Sequence, residues 1–526
     1  MQLITATEAA ALVGDGWTLT TAGFVGAGHA EAVTAALEQR FLADSRPRDL
    51  TLLYAAGQGD RATRGVNHFG HAGMLKRIIG GHWNSAPRLA QLVNANAVEA
   101  YNWPQGVISH LYRAIAGRKP GVITAIGLHT FVDPRHDGGR LTPCSSEELV
   151  ELVTLKGREY LFYPSFPIHC ALLRGTTADE LGNISTEHEA FHQDLLSIAQ
   201  AARNSGGIVI AQVKRLARAG TLNPNLVRVP GILVDYVVVC ERPEDHWMTF
   251  AEEFNPAYTG EVRQPEQDFV ALPLDIRKII ARRAFLELQR LPQLGRRAVV
   301  NLGVGIPACI GSIAREEGAG GFTLTVEAGP IGGTPAGNLS FGAAANPEAI
   351  VDHGAQFDFY DGGGIDIAFL GMAELDVHGN VNVSRFGQRI AGIGGFVNIS
   401  QSAQRLVLMG TLSAGGLKVA AGAGKLQIRH EGSVRKVVPQ VSHLSFNGAY
   451  VASLGIAVLY VTERAVFELQ DGRLTLTEIA PGIDLQRDVL DQLAAEVRVA
   501  PQLRRMDPRI FHDRPMFEQA LGNTLN

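Results

Sequence analysis

Short runs of aliphatic and β-branched residues, each followed by a glycine turn and then by apolar positions at helical spacing, recur along the chain. TLTTAG (18–23) leads through Phe24-Val25-Gly26 into HAEAVTAALEQRF, and AVVNLG (298–303) leads through Val304-Gly305 into ACIGSIAREEG. Strands that alternate with helices in this way call for parallel sheets. Thr5 followed by Glu8 forms a capping box and predicts a first helix. LDIRKIIARRAFLEL (274–288) has apolar spacing near 3.6, and EHEAFHQDLLSIAQAA (187–202) also reads as a helix.

The pattern repeats at a larger scale. TLLYAAGQ (51–58) aligns with TLTVEAGP (323–330), Gly182-Asn183 with Gly379-Asn380, and GGIVIAQV (206–213) with QRLVLMGTL (404–412). The order is kept while the offset falls from 272 to 197, so the first half carries about 75 extra residues, placed within 60–145. The fold class expected is α/β: two related open domains with mainly parallel sheets, from an internal duplication. The expected boundaries are 1–245 for the first domain, 246–270 for a polar, Pro-containing linker, and 271–526 for the second.

The chain has 526 residues, too many for one hydrophobic core. Its net charge of −5, without a long basic run, argues against a nucleic-acid surface. No apolar run reaches 18 residues and the N-terminus lacks a basic leader, so a cytoplasmic protein with no membrane partner is expected. Cys144, Cys170, Cys240 and Cys309 form no C-x-x-C, which suggests neither a disulfide framework nor a zinc knuckle. Glycine is in excess, 59 residues, and glycine collects where backbone turns tightly or approaches a ligand.

The two copies differ at one informative position. Where the first has Ala55 at the strand end, the second has Glu327, followed by the glycine-rich run AGPIGGTPAGN. Ligands of open α/β sheets bind beyond the carboxyl ends of the strands, which makes Glu327 a candidate functional carboxylate; an exposed or salt-bridged turn residue is the plain alternative. Glu327 also lies 22 residues after Gly305 of a G-x-G-x-x-A run, as a dinucleotide fold would place its ribose-binding acid, although Pro307 removes a donor from that turn. His188-Glu189-Ala190-Phe191-His192 is a literal H-E-x-x-H, a zinc signature on a helix, but it falls in the first turn with no third ligand. His68 and His71 read as surface or packing residues. Gly392, Gly394 and Gly395 of AGIGGFVNIS could aim amides at an anion or a carbonyl oxygen, and the glycines before Lys418 could hold a phosphate or simply turn.

VEAGPIGGTPAGNLSFGAAANPEAI, GMAELDVHGNVNVSRFG, GIGGFVNIS and GTLSAGGLK resemble the second half of family I CoA-transferases, in the single-chain acetate/propionate branch. PQGVISHLYRAIAGRKPG, GLHTFVDP, RGTTADELGNIS and TERAVFEL with LTEIAPGID agree, so the likeness covers at least 5–490. His129 and the HEAFH run depart from it, away from Glu327. The resemblance implies Glu327 as nucleophile, forming an acyl-glutamyl anhydride and then a glutamyl-CoA thioester, with ping-pong kinetics. It implies Gln105 and the Gly394 and Gly395 amides as donors to the developing oxyanion, and Gly392, Phe396 and Lys418 as substrate or CoA contacts; a donor from the first domain and a nucleophile from the second put the implied active site at their interface. Acyl-CoA and small carboxylates are the implied partners, with no metal or redox cofactor, coenzyme A being a substrate, and a homodimer or homotetramer as the assembly. The alternative is a CoA-ester or acyl-carrier-binding subunit of a lyase or decarboxylase complex.

Overall fold

The computed structural model describes residues 1–265 and 271–517; part of the expected linker, 266–270, lies outside the described residues. The chain divides into two compact units. The first holds 1–264 with 326–361 and 384–398, and the second holds 265–325, 362–383 and 399–526.

In the first unit eight strands form one sheet. They are β1 (Gln2–Leu3), β2 (Thr18–Thr21), β3 (Leu50–Tyr54), β4 (Leu75–Gly80), β5 (Glu99–Asn102), β6 (Cys170–Arg174), β7 (Ile208–Val213) and β8 (Tyr236–Val239), in the order β1-β8-β7-β6-β2-β3-β4-β5. Every pairing is parallel. Leu52, Leu53, Ala171, Leu172, Val209 and Ile210 are fully buried or nearly so, as unbroken apolar strands of a sheet covered on both faces must be. Its helices include α1 (Ala6–Leu12), α2 (Glu31–Asp44), α3 (Gln105–Ala116) and α4 (Leu195–Asn204). The capping box is present: the Thr5 N–H donates to Glu8 Oε2 at 2.8 Å and the Glu8 N–H to Thr5 Oγ1 at 3.2 Å.

In the second unit α5 (Ile276–Gln289) precedes β9 (Ala298–Leu302), α6 (Cys309–Glu316) and β10 (Phe322–Thr325). Then come β11 (Ile367–Gly371), β12 (Arg405–Met409), β13 (Ala457–Val461), β14 (Ala465–Gln470), β15 (Arg473–Ile479) and β16 (Arg498–Arg505). Their order is β10-β9-β11-β12-β13-β14-β15-β16, parallel from β10 through β13. The run β8-β7-β6-β2-β3 of the first unit therefore has the topology of β13-β12-β11-β9-β10.

The duplication is visible in single hydrogen bonds. Asp179 Oδ1 accepts from the Leu181 and Asn183 N–H groups, Asp179 Oδ2 from Asn183 Nδ2, and Asn183 Oδ1 from the Gly231 N–H. Asp376 Oδ1 accepts from His378 and Asn380, Asp376 Oδ2 from Asn380 Nδ2, and Asn380 Oδ1 from the Gly448 N–H. The same side-chain-locked turn occurs 197 positions later. Strands β4 and β5 and helix α3 fall in the stretch where the extra residues were expected, and the second unit has no counterpart for them among its described residues.

The compact units do not follow the halves of the sequence. Two segments of the second half, carrying α7 (His353–Asp361) and the start of α8 (Phe396–Ser402), belong to the first unit. Residues 246–264 also pack there: Met248 and Tyr258 join Phe24, Phe191, Val326 and Ala343 in one buried cluster.

Candidate active site

Glu327 stands two residues past the end of β10, in a loop that belongs to the first unit. The loop closes on itself, with the Val326 N–H donating to Pro330 O at 2.9 Å and the Gly329 N–H to Val326 O at 3.0 Å. Gly329 has φ +123°, and a Cβ there would lie 2.1 Å from the Val351 carbonyl oxygen, so only glycine fits. Val326 and Ala328 are buried on either side of the acid. Glu327 itself keeps part of its surface open while its carboxyl is surrounded by protein. Burial pushes that carboxyl up to about 7, against the pull of His353 and Gln105.

Gln105 opens α3, and its N–H donates to Gly394 O at 2.9 Å, which fixes the helix start against the GIGGF turn. Its Nε2 donates to Glu327 Oε2 at a long 3.5 Å and to His353 Nε2 at 2.9 Å. His353, first residue of α7, faces Asp194 Oδ2 with its Nδ1 at 2.6 Å, and Ser109 Oγ donates to Asp194 Oδ1 at 2.5 Å. All four supporting side chains are buried. Burial alone would raise Asp194, but His353 and Ser109 outweigh it and hold the carboxyl below its ordinary range.

The GIGGF turn contributes unevenly. The Gly394 N–H donates to Gly81 O at 2.8 Å and the Gly392 N–H to Ser384 O at 3.0 Å, so neither amide is free for a substrate oxygen. This corrects the expectation for Gly394 and narrows the donor role to Gly395, whose N–H has no acceptor among the described residues. A Cβ on Gly395 would meet Glu327 Cδ at 3.0 Å and Phe357 Cζ at 3.1 Å. Gly395→Ala is therefore expected to shift the nucleophile by a few tenths of an ångström and to lower kcat about 10- to 100-fold, with unfolding unchanged. Steady-state kinetics beside a thermal melt checks it, and a variant with parental kcat removes Gly395 from the site. Phe396 is half-buried at the start of α8, and Lys418 is an exposed residue of the second unit, at the start of a hairpin strand (Lys418–Gly422).

The H-E-x-x-H run is not helical, because α4 begins only at Leu195 and Gln193 sits at φ +56°. Glu189 is taken by Arg174, with Nη2 to Oε2 at 2.9 Å, while His192 bonds Thr186 and Arg228 and His188 lies on the Phe254 ring. The two imidazoles do not share a face. His68 lies between Glu31 and Glu38 at 2.8 and 2.6 Å, and His71 bonds Glu38, so these two histidines belong to a charged cluster.

His353, Asp194 and Ser109 carry no motif, and sequence reasoning missed them. Comparison with known proteins then settles the class. The family model for coenzyme A transferase matches residues 3–240. The chain is 45% identical over 519 residues to caffeate CoA-transferase of Acetobacterium woodii, covering 98% of each chain. It is 42% identical over 517 residues to acetate CoA-transferase YdiF of Escherichia coli O157:H7, covering 98% of this chain and 96% of the relative. This chain belongs to the coenzyme A transferase family. The crystal structure of YdiF as apoenzyme superposes on this CoA-transferase with a TM-score of 0.92 at 41% identity, covering 98% and 97% of the two chains. A second YdiF structure is a thioester complex with CoA, at a TM-score of 0.90. Both of these full-length relatives are CoA-transferases, which favours CoA transfer over the dinucleotide, zinc and lyase-subunit alternatives. The site expected between the halves of the sequence is assembled within the first unit, from segments that both halves supply.

Proposed function

We propose that this CoA-transferase moves CoA from a short-chain acyl-CoA to a free carboxylate through covalent steps on Glu327. The observation that carries the reading is the placement of that carboxyl: half-buried, raised in pKa to about 7, and between the Gln105 amide and the Gly395 backbone. The carboxylate attacks the thioester carbonyl, the C–S bond breaks, and CoA leaves as thiolate from an acyl-glutamyl anhydride. The thiolate then attacks the glutamyl carbonyl, releasing the first acid as carboxylate and leaving a glutamyl-CoA thioester. An incoming carboxylate reverses both steps. Each attack builds charge on a carbonyl oxygen, and the Gln105 N–H and the Gly395 N–H are the donors nearest to it. The sequence of steps calls for acyl transfer alone, with coenzyme A as substrate and no resident cofactor.

The named relatives span acetate and an aromatic acid, and the acetate/propionate motifs of this chain favour the smaller. Incubation with acetyl-, propionyl- or caffeoyl-CoA alone, followed by peptide mass spectrometry, tests the proposal. A CoA adduct on Glu327, formed faster from the first two donors, is expected; label on another residue, or none, overturns it.

The proposal includes self-association in the cytoplasm. Met1, Leu181 and Ile232 are exposed apolar residues gathered around Gly182 and Gly231, a surface suited to a second copy of the chain. No helix among the described residues is long and apolar enough to cross a membrane.

A further inference from the structure

The geometry points to Asp194 and His353 as a positioning pair that orients the Gln105 carboxamide so that its NH2 group, and not its carbonyl, faces Glu327. The inference rests on the reading of Glu327 as nucleophile and adds residues to it.

The direction of every proton in the chain of contacts follows from its end. Asp194 accepts from Ser109 at Oδ1 and faces His353 Nδ1 across 2.6 Å at Oδ2, which places the imidazole proton on Nδ1. Nε2, the other ring nitrogen, faces Gln105 Nε2 at 2.9 Å and accepts from it, since an amide nitrogen only donates. The remaining hydrogen of that amide is left for Glu327 Oε2, at 3.5 Å. Rotating the amide by half a turn would set its oxygen against both the Nε2 lone pair and the carboxylate, two repulsive contacts among buried groups. Backbone contacts hold the frame. The His353 N–H donates to Gln193 O at 3.1 Å, the Gln105 N–H to Gly394 O at 2.9 Å, and the Gly106 N–H to Asn398 Oδ1 at 3.2 Å. Neither Asp194 nor His353 hydrogen-bonds the nucleophile, and the hydrogen-bond route from them to it runs through Gln105.

Asp194→Asn isolates the effect. An asparagine amide can donate to His353 Nδ1, which moves the ring proton to Nε2 and turns the Gln105 carbonyl toward it, as a misplaced tautomer does in other relays. Formation of the Glu327 adduct and overall turnover would be measured for the parent, Asp194→Asn, Gln105→Ala and the double variant. We expect Asp194→Asn to lower kcat about 10- to 100-fold with the KM for acyl-CoA within about twofold of the parent. We expect the double variant to be no slower than Gln105→Ala, because a pair that works by orienting Gln105 has nothing left to orient. A full multiplicative loss in the double variant, or an unchanged kcat in Asp194→Asn, overturns the pair. Should Asp194→Asn fail to fold, Ser109→Ala removes one hydrogen bond to the same carboxylate, and its few-fold loss must likewise vanish in the Gln105→Ala background. Failure of the parent to form any adduct on Glu327 would instead sink the nucleophile reading itself.

Discussion

Glu327→Gln is expected to abolish the CoA adduct and to lower turnover by about 10⁴-fold or more, since the amide keeps the shape and loses the nucleophile. Glu327→Asp keeps the charge but withdraws the carboxyl by one methylene, and a displacement near 1 Å costs on the order of 100-fold at a preorganised site. The parent's rate should rise with pH through about 7, where the buried acid ionises. Stability moves the other way. A carboxyl whose folded pKa lies above its unfolded value stabilises the fold fully below the ordinary carboxylate range, and that contribution is lost as pH rises through about 7. Near pH 8 the Gln variant should therefore be more stable than the parent, by up to about 3 kcal/mol. Denaturant melts at pH 5 and 8 check the sign. A Gln variant that is both inactive and less stable at pH 8 would mean that burial does not strain this carboxyl, and one that turns over normally removes it from the reaction.

The second large effect lies in the first unit's core. Arg174 grips Glu189 through two bonds, 3.2 and 2.9 Å, with both side chains almost fully buried. Burial would raise Glu189, but Arg174 and then His246 outweigh it and hold the acid ionised. Arg174→Met keeps the volume and strands that charge, which costs about 3–5 kcal/mol. Arg174→Met with Glu189→Leu removes both charges and should recover most of the loss. The pair's contribution is present at pH values above the ordinary carboxylate range and fades on acidification. Urea titration of the three proteins decides. Equal stability of parent and single variant would show that the pair contributes nothing, and a double variant no better than the single would show that packing, not charge, sets the loss.

The fold was legible in the sequence wherever periodicity was strong. The strands at 18–21, 50–54, 208–213, 298–302 and 405–409 and the helix Ile276–Gln289 match the expected runs to within one residue. The duplication was legible from matches that keep their order along the chain, and the Asp-Asn turns explain why those residues recur. The run at 187–194 was misread as helix because its composition suits one. A buried ion pair and a left-handed Gln193 override that preference, effects of tertiary contact that no local window contains. Glu327 was readable as an acid gained at a strand end in one copy only. Asp194 and His353 were not, because the distance between them in sequence, 159 residues, has no pattern. Gly394 was misassigned because glycine marks a tight turn without telling which amides the turn leaves free.

Gly106, on α3, has a bearing on how such a protein can change over generations. A Cβ at this position would lie 2.5 Å from Phe357 Cδ1 and 2.5 Å from Asn398 Nδ2. Three positions more than 250 residues apart at the extremes thus share one steric allowance. A chimera that joins residues 1–264 of one homologue to the remainder of another would set a foreign α3 against a foreign α7 and α8. A smaller residue at 357 in one parent would license a larger one at 106 there and nowhere else. The two halves arose as copies, yet they no longer drift independently.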